Sequence, residues 1–195
     1  MYQTDYCSTA LFETPEDQAR GLPQLNQQYL QTGPGRFDGR LQHYQLDKDT
    51  FVYRERLNVP VLQEGWMNKG WRTFAIPMHT AGGTTLQGRA LDAAAMIGHL
   101  PAGRGFQGQT TGTSDHIGIV LCDSVFEIYA DYLGGSRSLP WRDQHLLEIS
   151  RLALRRASHG IGDCVRGAKR IPWRCATTRR AMPCATTCSS TCSVS

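Results

Sequence analysis

No run of eighteen apolar residues occurs in the 195 positions, so no segment reads as a transmembrane helix. Met1 to Ala10 carry neither a basic stretch nor an apolar core, so no secretory leader is read there and a cytoplasmic location is expected. Close histidine pairs are missing: of His43, His79, His99, His116, His145 and His159, no two are closer than fourteen residues. That removes the spacing that sets two imidazoles on one strand face for a metal. There is no nucleophile elbow, since Gly112-Thr113-Ser114-Asp115 lacks the GxSxG form, and Cys122 sits in an apolar run where a thiolate is costly. Gly103-Arg104-Gly105-Phe106-Gln107-Gly108 imitates a dinucleotide loop, but no apolar helix follows, so it reads as a turn. Neither catalytic groups nor a cofactor nor a metal are expected.

What is present divides into two unlike pieces. Met1 to Ser150 hold 12 basic against 16 acidic residues, a net charge of −4; Arg151 to Ser195 hold 9 basic residues and one acid, Asp163, a net of +8. The body would repel a phosphate backbone, whereas the tail has the charge for nonspecific attraction to one. Cysteine splits likewise. Cys7 and Cys122 are alone in the body, while Cys164, Cys175, Cys184, Cys188 and Cys192 crowd the end.

Thr14-Pro15-Glu16-Asp17 is a helix start, with a hydroxyl cap, proline in the first turn and acids behind it. Ala19, Leu22, Leu25 and Tyr29 extend it as a stripe, which Pro23 weakens and Gly33-Pro34-Gly35 ends. Short strands follow: Arg40 to Leu46 and Thr50 to Asn58 as a hairpin about Asp47-Lys48-Asp49, with Val59-Pro60-Val61 as a bent edge continuation. Trp71 to Met78, Thr84 to Arg89, Met96 to Leu100 and His116 to Cys122 come next. Phe74, Ile76 and Met78 share one face, as do Ile117, Ile119 and Leu121. Helices are expected over Asp123 to Leu133 and from about Arg142 to Ala157. The fold class read from this is mostly β with flanking α, as a sandwich or barrel. The sensor-sized unit spans 11–150, and 151–195 holds a helix end and a disordered, basic, Cys-rich tail.

That tail admits three readings. It is a disordered extension, or a zinc site on Cys184, Cys188 and Cys192, or the product of a shifted reading frame. The i, i+4, i+8 cysteine spacing offers no CxxC pair, which weighs against zinc. Assuming C at the third codon positions, Thr187-Cys188-Ser189 and Thr191-Cys192-Ser193 each decode two bases later as Leu-Leu. The shifted segment becomes an amphipathic helix. A frameshift after about Ala157 explains most, and sequencing the coding DNA decides it.

Several local patterns between Thr14 and Gly134 resemble the N-terminal sensor domain of AraC-family transcription regulators. They are Thr14-Pro15-Glu16-Asp17-Gln18-Ala19, the run from Gly33 to Arg40, Phe51-Val52-Tyr53-Arg54-Glu55-Arg56-Leu57-Asn58, Thr73-Phe74-Ala75-Ile76-Pro77 with Gly88-Arg89, and Asp115-His116-Ile117-Gly118-Ile119-Val120. They cover about two thirds of the chain. The resemblance implies a cupin-like, jelly-roll β-barrel that senses a small-molecule effector and often dimerises. It also implies that DNA is read through a C-terminal helix-turn-helix region, which the 45 residues after Ser150 do not spell. A stand-alone cupin-like enzyme is the alternative reading, against which the missing paired histidines of metal-dependent cupins argue, and a nonfunctional or dominant-negative fragment is a further one. For the effector, Tyr53, Glu55, Trp66 and Phe74 are the candidate contacts, with Trp71 as a further apolar wall. Phe51, Tyr53, Glu55 and Leu57 share a strand face by alternation. Glu55, a carboxylate on an apolar face, must find a partner or bind something, and a salt bridge to a neighbouring arginine is the expected state.

Overall fold

The computed structural model describes residues 7–92, 95–132, 141–170 and 176–177. β1 (Cys7–Phe12) leads into α1 (Pro15–Ala19), where the Thr14 hydroxyl accepts the Asp17 N–H at 3.2 Å. The helix lasts barely a turn. Instead of continuing to Tyr29, the chain forms β2 (Leu25–Gln31), with Leu25 and Tyr29 buried on its inner face. A spacing of four satisfies both a helix and a strand, and Gly21 and Pro23 decide between them by breaking the helix.

The expected hairpin forms as β3 (Gly39–Gln45) and β4 (Thr50–Leu57). After Pro60 comes a strand the sequence reading passed over, β5 (Val61–Met67), paired to β2 along its whole length. β6 (Trp71–Thr80), β7 (Thr84–Leu86), β8 (Arg89–Ala90) and β9 (Met96–Leu100) follow. The glycine-rich run expected to be a turn is one only at Gly103, whose φ is +67°. From Gly105 it becomes β10 (Gly105–Thr110), because Phe106 and Thr110 alternate into the core. β11 (Ser114–Cys122) feeds α2 (Asp123–Tyr132) as expected. The helix anticipated from Arg142 begins later. Leu146 and Leu147 are both buried in β12 (Leu146–Glu148) against β9, and α3 runs Arg151–Arg170, past the point where the sequence lost its grammar. The later cysteines lie outside the described side chains.

Two sheets result, of strand order β12-β9-β6-β11-β4-β3-β1-β13 and β2-β5-β10-β7-β8. Pairing is antiparallel except where β13 (Ala176–Thr177) runs beside β1. The core lies between the sheets, around Phe51, Leu57, Val61, Met67 and Val120. This is a cupin-like jelly-roll barrel, as the sequence implied. No described helix is long and apolar enough to cross a membrane.

α2 covers the outer face of the large sheet. There Phe74 stacks on His99 at 4.7 Å between ring centres, Trp141 meets both edge-on, and the Arg72 guanidinium lies 3.8 Å over Phe126. His99 is fully buried, with Nδ1 2.8 Å from the Gln144 carbonyl. Burial lowers its pKa to about 4, so it folds as neutral imidazole. A base whose folded pKa lies below its unfolded one stabilises the fold above the unfolded value and loses that contribution as pH falls. Urea unfolding should therefore show a loss of about 2 kcal/mol between pH 7 and pH 5. His99→Leu should flatten that slope, and an unchanged slope would place the titration elsewhere.

Candidate ligand cavity

Between the sheets lies a cavity of about 100 Å³, walled by residues of β2, β4, β5, β6, β7, β9, β10 and β11. Leu25, Leu86, Leu100 and Phe106 make much of its surface apolar. Gln27, Gln63, Thr84, Thr85, Thr110 and Ser114 add neutral polar groups. No lysine or arginine lines it, and Glu55 supplies a carboxylate.

Glu55 is 1% exposed and directly opposite His116 across the β4–β11 pair. Its Oε1 accepts from Gln18 Nε2 at 2.8 Å and from the Tyr29 hydroxyl at 3.0 Å; its Oε2 lies 3.3 Å from both the Tyr29 hydroxyl and His116 Nε2. Burial first, then the Glu55 charge, raises the pKa of Tyr29 well above the ordinary phenol value and does the same for Tyr53. Both phenols stay protonated, and Tyr29 can only donate to the carboxylate. The Tyr53 ring stands edge-on to His116 at 5.8 Å and lies over Gly118, where no side chain intervenes. The hydroxyls of Thr84 and Ser114 are buried without a hydrogen-bond partner among the described residues, and both residues line the cavity. A buried hydroxyl facing a cavity can donate to or accept from a polar group placed there.

The expected arginine partner of Glu55 is corrected. Arg54 and Arg56 flank it in sequence but leave by the opposite face, where Arg54 grips Asp115 with two bonds of 2.8 and 2.6 Å and Arg56 adds a third at 2.8 Å. Burial raises the Asp115 pKa, and these bonds outweigh it, leaving a net lowering. Alternation along β4 separates the two clusters, so neighbours in sequence cannot be neighbours in space.

Of the four candidate contacts, the cavity gathers Tyr53 and Glu55. Trp66 stands 51% exposed on the outer face of the small sheet, and Phe74 belongs to the aromatic cluster under α2. Trp71 packs against the core beside Phe51. Sequence reasoning missed Gln18, Tyr29 and His116. His116 was hidden by alternation itself: the apolar Ile117, Ile119 and Leu121 read as the inward face, yet they pack on the outer side of the large sheet and His116 points into the barrel. Among the described residues no group of three or more His, Cys, Asp or Glu is placed to hold a metal ion.

The inner face of the two-sheet barrel thus carries a polar network of Gln18, Tyr29, Glu55 and His116. No protein-family model and no curated protein matches the sequence. Among solved structures, the AraC-like transcriptional activator CuxR aligns with a TM-score of 0.55 at 14% identity, covering 80% of this chain and 59% of its own. A predicted oxalate decarboxylase from Thermotoga maritima (TM-score 0.34, 9% identity, 51% of this chain and 95% of that one) and the oxalate decarboxylase of Bacillus subtilis (0.34, 12%, 63% and 41%) also align. What the chain shares with CuxR is the fold, and it spans just over half of that protein's length.

Proposed function

We propose that this chain is the effector-sensing domain of an AraC-type transcription regulator, and that its effector is a small molecule held between the two sheets. The observation that carries this reading is the cavity itself: set between the sheets, mostly apolar, and supplied with buried hydroxyls that have no hydrogen-bond partner among the described residues. With the Glu55 carboxylate in the wall, no lysine or arginine, and His116 already set against Glu55, a carboxylate or phosphate ligand would meet repulsion and lose its hydration without return. The effector is therefore small, uncharged and partly apolar. DNA is contacted, on this reading, through a helix-turn-helix region outside the described residues, and the domain pairs with a second copy. A frameshift beginning after about Ala157 accounts for the composition that follows, and genomic sequence downstream tests it.

Gly108 provides the test. A Cβ built there meets Gln63, Thr85 and Leu86 at ordinary distances of 3.7 to 3.9 Å, so a side chain fits the fold while entering the cavity. Screening uncharged metabolites by thermal shift should find a stabilising ligand. Gly108→Val should weaken that ligand at least tenfold while costing less than about 1.5 kcal/mol of stability. Undiminished binding in the variant would remove the cavity as the effector site.

A second reading, a stand-alone enzyme, is favoured by one observation: Glu55 and His116 form a carboxylate–imidazole pair at the cavity wall, as general acid–base chemistry requires. Turnover of the ligand found above, abolished in His116→Gln, would select it.

A further inference from the structure

Strands β2, β5 and β10 wall the cavity with one face and present a different surface with the other. Two cross-strand rows run over that outer face. Asn26 pairs with Trp66 and Trp66 with Gly105; one step along, Gln28 pairs with Glu64 and Glu64 with Gln107. Together with Gln87 they line a shallow groove. Trp66 is half exposed, an unusual state for the largest apolar side chain, and Gly105 beside it carries no side chain, so one flank of the indole is open.

The polar groups are held in place. Gln107 Nε2 donates to Glu64 Oε1 at 2.6 Å. Gln87 has a φ of +53°, the left-handed region that costs a residue with a Cβ about 1 kcal/mol, in the tight β7–β8 turn with Gly88 at +69°. Its amide crosses to β10 and donates to the Gly105 carbonyl at 3.0 Å. The rim of the groove is thus fixed before anything binds.

We infer that this outer groove is a platform for a neutral saccharide. The open face of an indole attracts the weakly positive C–H groups of a pyranose ring. A row of amides and one carboxylate offers donors and acceptors side by side, which is what vicinal hydroxyls satisfy. A polypeptide partner would call for a broader apolar patch with a depleted charge at its centre, whereas one aromatic ringed by amides and a carboxylate is mostly polar. A nucleic acid would find Glu64 and no lysine or arginine in the groove. The platform lies on the opposite side of the sheet from the effector cavity, so either site can fail without the other.

Calorimetric titration of the full chain with cellohexaose, xylohexaose, laminarihexaose and maltohexaose tests this. At least one should bind, with tryptophan emission shifting to the blue. Trp66→Ala should weaken it tenfold or more, with the thermal midpoint nearly unchanged. Gly105→Leu, where a Cβ meets only the Gly65 carbonyl at an ordinary 3.7 Å, should close the open flank and have the same effect. The inference fails if none of the four binds, or if binding survives both substitutions. It fails equally if Trp66→Ala instead dissociates a dimer of the chain, since the groove would then hold a second copy.

Discussion

Replacing Glu55 with alanine is expected to lower the unfolding free energy by about 4 kcal/mol, the largest loss of any single polar substitution in the barrel. The carboxylate is the shared acceptor for Gln18 and Tyr29, and His116 lies against it. Removing it strands two buried donors, each costing about 1 to 3 kcal/mol, and opens a void where no side chain can collapse. Glu55→Gln keeps an oxygen for the same donors and should cost about half as much. Urea titrations of the two variants separate these cases. Equal losses would mean that the negative charge, and not the acceptor geometry, holds the network.

Gly118→Val should be comparably severe, at about 3 kcal/mol or more, because overpacking acts on a ring that has nowhere to go. A Cβ at Gly118 would stand 2.1 Å from Tyr53 Cε1 and 2.6 Å from its hydroxyl oxygen, and Tyr53 is 3% exposed. The ring is pinned between β11 and the cavity, so displacing it fills cavity space. Ligand affinity should fall with stability. Adding Tyr53→Ala to Gly118→Val should restore much of the stability lost, measured as a coupling energy in a double-mutant cycle. Strictly additive losses would show that the clash is relieved elsewhere.

The barrel was legible because alternation is a strong signal wherever one strand face is buried: β4, β6, β9 and β11 were placed within a residue or two. The misses share a cause. β2 carries Leu25 and Tyr29 at a spacing common to both periods, β10 is too rich in glycine to show a pattern, and β12 is three residues long. Half of the candidate contacts followed from parity within β4. Trp66 and Phe74 were grouped with them on chemistry alone, and side-chain type carries no information about which face of its own strand a residue occupies. Gln18 could not be found locally at all, since its bond to Glu55 spans 37 positions and depends on α1 ending where it does.

The small sheet therefore writes two messages on the same three strands, one on each face: odd-numbered positions turn to the barrel in β2 and β5, even-numbered ones in β10. Point substitutions can edit either message alone. Loss or gain of a single residue within β5 would transpose them, turning Trp66 and Glu64 into the barrel and Val61 and Gln63 out of it. These strands can thus change their letters freely but never their count, and variation in length has to be confined to the turns that join them.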